Sequence, residues 1–139
     1  MVPQAAIDLA KHFEGFSSKP YICPAGFWTI GHGHLCKPDH PPITKAQAEA
    51  YLIADLNLAL RSVLRLCPVM ATESSGRLAA IVDFTFNLGA GRLHTSTLRR
   101  CINSGNWDRV PHELRRWVRG GGRVLPGLVR RREAEVALI

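Results

Sequence analysis

Between Thr44 and Pro68 the chain leaves room for one regular structure. Thr44-Lys45-Ala46-Gln47 is a capping-box signature, and Ile43 stands where a hydrophobic staple would close against the first turn. Ala48, Leu52, Leu56, Ala59, Val63 and Leu66 then recur on one helical stripe. Cys67-Pro68 ends the pattern, because the residue before a proline is pushed out of the helical region. A helix of more than 20 residues in a chain of 139 suits a connector between two lobes.

On either side the patterns differ. Pro3 to Phe13 predicts a short helix, with Ala6, Leu9, Ala10 and Phe13 at helical spacing and Gly15 as terminator. Tyr21-Ile22-Cys23 and Phe27-Trp28-Thr29-Ile30 are β-prone, and Pro24-Ala25-Gly26 between them is turn chemistry, which predicts a hairpin or small meander. Thr72 to Phe86 is apolar nearly all round and predicts the buried centre of a second lobe, closed by Asn87-Leu88-Gly89-Ala90-Gly91. Short helices follow over Ser96–Asn103 and Trp107–Arg119. Gly120-Gly121-Gly122 reads as a flexible loop, and Pro126 to Ile139 as a last helix. The whole is an α+β chain of one domain: a small N-terminal lobe over 1–43 with the hairpin, the connecting helix over 44–67, and a helical lobe over 68–139.

The formal net charge is +7, with arginine concentrated late in the chain. Such an excess attracts anionic polymers: nucleic acid, membrane surface or bacterial wall. No nucleic-acid recognition motif accompanies it. No apolar run reaches the ~18–20 residues of a membrane span, and the N-terminus lacks the charged and apolar regions of a signal peptide. Cys23, Cys36, Cys67 and Cys101 form no C-x-x-C pair, so free thiols are expected. Cys23, His32, His34 and Cys36 lie close in sequence, but without the spacing of a structural zinc site. No metal and no cofactor are expected.

The chemistry concentrates around Glu14, at the end of the first helix, and around the run Phe27-Trp28-Thr29-Ile30-Gly31-His32-Gly33-His34. A carboxyl at a helix end is usually solvated. Beside Phe13 and Phe16 it is alternatively a general acid, its proton retained by apolar surroundings. His34 is either structural or a group that steadies Glu14 by charge, and His32 is expected to face solvent.

The segments Glu14-Gly15-Phe16 and Tyr21-Ile22-Cys23-Pro24 to Trp28-Thr29-Ile30-Gly31-His32-Gly33-His34 resemble the opening of phage-type lysozymes, glycoside hydrolase family 24. Phe84-Thr85-Phe86-Asn87-Leu88-Gly89-Ala90-Gly91, Ser96-Thr97-Leu98, Leu114-Arg115-Arg116-Trp117 and Gly127-Leu128-Val129-Arg130-Arg131-Arg132-Glu133-Ala134-Glu135 resemble later blocks of that family in the same order. The resemblance implies a lysozyme-like fold and an endolysin muramidase. Such an enzyme hydrolyses the β-1,4 bond between N-acetylmuramic acid and N-acetylglucosamine in peptidoglycan. It implies that Glu14 is the general acid and that Thr29 positions water. Cys23 stands where many members carry Asp, as a Cys-bearing E-x8-C-x5-T variant. A thiol has an ordinary pKa of about 8.5, so Cys23 would act as a thiolate or by polar contact with water. Leu35, Phe86 and Thr97 match sugar-contacting positions, although Leu35 and Phe86 read equally well as packing. An arginine of the last helix, Arg131 or a neighbour, would pair with the acid. The partner implied is peptidoglycan, met by a monomer that waits in the host cytoplasm for a holin-type pore and then acts at the periplasm and cell wall. The alternatives are a cysteine amidase or peptidase, with Cys23 as nucleophile and His32 or His34 as base, and a non-catalytic wall-binding homologue.

Overall fold

A computed structural model of the chain describes every residue, Met1–Ile139. Seven α-helices surround a three-stranded antiparallel sheet and a minimal two-stranded one. Helix α1 spans Gln4–Glu14; Pro3 caps it from outside, and Gly15 at φ 67° stops it with an N–H bonded to Lys11 O. The sheet follows: β1 (Ser17–Ile22), β2 (Trp28–Gly31) and β3 (His34–Leu35), in that spatial order. Pro20 lies in the irregular stretch of β1, where the register slips between Ser17↔Gly31 and Tyr21↔Thr29. A residue without an N–H belongs at such a break.

Helix α2 spans Lys45–Leu66 with both capping-box bonds made: Thr44 Oγ1 accepts from Gln47 N at 3.1 Å, and Gln47 Oε1 accepts from Thr44 N at 2.9 Å. The whole predicted stripe is buried, joined by Leu60. Its first turn serves a small cluster of Ile30, Ile43 and Ala48 beneath the sheet, and its remainder serves the large helical core. A helix that bridges two separate cores is the connector the sequence predicts.

After a 3₁₀ turn over Pro68–Thr72 come α3 (Ser75–Leu88), α4 (Ala90–His94), α5 (Thr97–Asn103), α6 (Val110–Arg115) and α7 (Pro126–Val136). Ser74 caps α3, so this helix starts later than the sequence reading placed it. Gly120-Gly121-Gly122 is not a plain loop. Gly121 and Gly122 make a tight turn at positive φ between β4 (Arg119–Gly120) and β5 (Arg123–Val124). Positive φ suits glycine, which accounts for Gly121 and Gly122, whereas at Gly120 a Cβ would stand 2.6 Å from Leu125 Cδ1.

Residues 1–43 divide between the two cores. Val2, just ahead of α1, and Ala6, Ile7 and Ala10 of α1 pack into the large cluster with α2, α3, α5 and α6, whereas the sheet rests on the small one. Glu14 therefore sits on the helical body at the point where the chain leaves for the sheet.

Candidate active site

Glu14 is the last residue of α1, and its half-buried carboxylate is held from two sides. From α7, Arg131 Nη1 donates to Oε2 at 2.6 Å. From the β2–β3 turn, Gly33 presents bare backbone: a Cβ there would stand 2.8 Å from Glu14 Oε1, at φ +79°. Only glycine satisfies both the close approach and the dihedral. The neighbouring His32 is buried and its Nδ1 meets Gly15 O, which ties the turn to the end of α1. This overturns the expectation that His32 faces solvent. His34 does not touch Glu14 either. Its Nδ1 lies 2.8 Å from Asp55 Oδ2, and its ring stacks on Tyr51, both on α2.

The surroundings of Glu14 are ionic where the sequence suggested apolar ones. Phe13 faces the Arg131 guanidinium at 5.5 Å, and exposed Phe16 faces Lys45 and His32. Arg131 in turn is 4% exposed and fastened to α3: its Nε and Nη2 each donate to an Asp83 carboxylate oxygen at 2.9 Å. Burial alone would raise the Asp83 carboxyl. Hydrogen bonds from Arg131 and Glu135 outweigh it and hold Asp83 below the ordinary carboxylate value. Glu135 is the converse: burial, and then the hydrogen bond it shares with Asp83, raise it well above a normal glutamate. The contact between the two carboxyls thus favours charge on Asp83 and opposes it on Glu135. Arg132, fully buried one residue on, places Nη2 2.9 Å from Glu135 Oε2 and 2.7 Å from Asn87 Oδ1, and donates to Trp117 O at 3.2 Å. Its Nε lies 2.9 Å from Glu135 Oε1, as an ion pair without hydrogen-bond alignment.

Across from this cluster, alternation on the sheet decides which side chains share a face. Thr29 pairs with Tyr21 on one side and Leu35 on the other, so these three stand in a row. Ile30 points the opposite way into the small core. Cys23 continues the Tyr21 face just past the end of β1 and before the turn, where its N–H bonds Phe27 O at 2.9 Å. Burial pushes the Cys23 thiol up. The Phe27 backbone, the Thr29 side chain and the Ala25 and Gly26 backbones pull it further down, so it ends below an ordinary thiol. Thr29 is buried, and Oγ1 donates to Phe27 O at 3.0 Å. Tyr21 links the two halves. Its hydroxyl is raised by burial and then by the charges of both Glu14 and Cys23. The Nδ1 atoms of His32 and His34 meet Gly15 O and Asp55 Oδ2, and neither is bonded to Cys23.

The contact residues separate. Leu35 is 63% exposed on the row with Thr29. Phe86 lies 5.9 Å from the Arg131 guanidinium and lines a groove of about 220 Å³ with Asp55, Ala59 and Thr85. Thr97 begins α5, and its hydroxyl accepts from Arg100 Nη2 at 3.0 Å; none of its hydrogen bonds reaches the Glu14 cluster. A larger depression of about 620 Å³ near α5 has an all-polar lining that includes none of these residues. Sequence reasoning missed Tyr21, Asp83 and Glu135. For Asp83 a signal existed, since it is the one acid in an otherwise apolar helix.

Comparison with known proteins places this arrangement. The family model described as phage lysozyme matches residues 11–135. An endolysin of Bacillus phage B103 is 38% identical over 99% of the chain, which spans about half of that relative's length (53%). An endolysin of Acyrthosiphon pisum secondary endosymbiont phage 1 is 34% identical, with 99% of this chain and 96% of that protein covered. The muramidase domain of SpmX from Asticaccaulis excentricus superposes with a TM-score of 0.87 at 29% identity, covering 99% of this chain and 96% of that one.

Proposed function

Because the chain belongs to the phage lysozyme family, we propose that it is a muramidase that cleaves the β-1,4 bond between N-acetylmuramic acid and N-acetylglucosamine in peptidoglycan. The observation that carries this reading is Glu14, fixed by Arg131 and Gly33 at the edge of the helical body, with its charge acting on Tyr21 of the row Tyr21–Thr29–Leu35. Glu14 protonates the glycosidic oxygen as the bond breaks. Thr29 and Cys23 position the attacking water. While the Thr29 hydroxyl donates to Phe27 O, its lone pairs are free to accept from water. When Cys23 ionises, the same hydroxyl can turn toward the thiolate, which then accepts from water or activates it. Leu35 and Phe86 offer apolar surface to the sugars, and Thr97 a more distant polar contact. Protonation plus a positioned water requires neither metal nor organic cofactor. We extend the reading to host lysis, for which the likeness to phage endolysins is the support, and to release through a holin-type pore.

The test is digestion of purified peptidoglycan by wild type and Glu14→Gln, with the products reduced by borohydride and identified by mass spectrometry. Reduced muramic-acid ends from wild type, lowered at least about a hundredfold in the variant, are expected for loss of a general acid. Free amines without new reducing ends, or an active variant, would reject the assignment.

A further inference from the structure

Asp83 and Glu135 are buried carboxyls that the reaction does not touch, yet they sit one residue removed from the acid. We propose that Asp83 is a positioning residue for Glu14: it seats the Arg131 guanidinium with both of its oxygens and balances its charge, so that the acid can be oriented by an arginine and still keep its proton. The inference rests on the reading of Glu14 as the general acid.

The geometry supports it in two steps. A guanidinium that meets Glu14 through one nitrogen at 2.6 Å does not by itself have a fixed plane. Two parallel 2.9 Å bonds to Asp83 fix it, and α3 holds Asp83 with no solvent access. The second step is charge. A buried cation this close to a carboxyl favours the ionised form, and an ionised carboxylate cannot donate to a leaving oxygen. Asp83 places the opposing charge on the far side of the same guanidinium. Glu135, on α7, is held above an ordinary glutamate by burial and by Asp83, and Arg132 faces Glu135. Other titratable or charged groups near Glu14 are Tyr21 and Cys23 from the sheet and His32 from its turn, which bonds the Gly15 carbonyl. Lys11, on the same helix, is engaged by Glu49 of α2.

Removing Asp83 alone would let Glu135 ionise in its place, so the decisive comparison is Glu135→Gln against Asp83→Asn/Glu135→Gln. The amide introduced by Glu135→Gln can donate to Asp83 as the protonated glutamate does, and it cannot take up charge. Each protein is labelled at the Glu side-chain carbons, and Glu14 is followed by NMR against pH. We expect its titration midpoint to fall by about one pH unit in the double variant, the size of shift an unbalanced neighbouring cation gives. The alkaline limb of kcat/KM should move the same way. An unmoved midpoint in the folded double variant overturns the proposal. In the wild type, restricted rotation of the Arg131 guanidinium, seen as separate Nη resonances, is also required. A freely rotating group overturns the proposal even if the double variant does not fold. Because the titration is read on Glu14 itself, its outcome is independent of whether Glu14→Gln abolishes cleavage.

Discussion

At the residue scale, Cys23 is the position where this site departs most from a pair of carboxylates. Its thiol lies below the ordinary value, because backbone and Thr29 contacts outweigh the burial that opposes them. Cys67 sits in the helical core and is pushed up to about 11 by burial. Cys36 is raised by burial as well. A lower thiol pKa means more thiolate at a given pH, so iodoacetamide should modify Cys23 first, with a rate midpoint below about 8.5. Peptide mass mapping across a pH series checks this order; Cys36 or Cys67 reacting first would contradict it. The same scale shows where sequence reading stops. Glu14 and Thr29 were singled out by the family resemblance more than by local pattern. The surroundings of Glu14 were not legible, because Arg131 lies 117 positions away and nothing local distinguishes it from Arg130 or Arg132. His32 looked like a turn residue open to water, and only the docking of the turn on Gly15 buries it.

At the scale of elements, α2 was legible because capping, staple and stripe all agree within one stretch of chain, and each is made as expected. Helices α3 and α7 were legible only in part. The apolar pattern of α3 announced its burial but not the structural acid within it, and of α7 only Arg131 or a neighbour was expected to turn inward, whereas Arg131, Arg132 and Glu135 are all buried. Burial of this kind depends on a partner in another element, and no periodicity reports it. The joint between these helices also has a pH signature. Asp83, lowered in the fold, contributes stability that is present above its unfolded pKa of about 3.9 and is lost as the pH falls through its lower folded value. Glu135, raised in the fold, acts oppositely: its contribution is complete below about pH 4.3 and is lost as the pH rises toward its folded value. The Glu135→Gln variant should therefore lose less stability than wild type between about pH 5 and 8. Thermal unfolding across that range measures the slopes, and parallel curves would mean that Glu135 ionises normally.

At the scale of the molecule, α1 belongs by sequence to the segment that carries the sheet and by packing to the helical body. Ala6 and Ala10 are fully buried there, beside Leu52, Leu56 and Ile81. A fragment beginning at Pro68 lacks both α1 and α2, so it should fold only when both are supplied. A fragment beginning at Thr44 should regain helical CD and cooperative unfolding on addition of a Met1–Phe16 peptide. Failure of that peptide to bind would mean that α1 contributes little to the core. Two lobes and a bridging helix were legible from pattern. The return of α1 to the far lobe was not, since a short amphipathic helix does not say which core it will join.

The pairing of Glu14 with Arg131 also sets an order of events. Arg131 follows Glu14 by 117 positions, so a ribosome makes the acid well before its guanidinium partner. Until α7 emerges, a nascent chain carries Glu14 with neither the Arg131 contact nor the seat on Asp83. The site is thus complete only once α7 has been made, and a product cut short before α7 would retain the sheet, the thiol and the hydroxyl without an oriented proton to use with them.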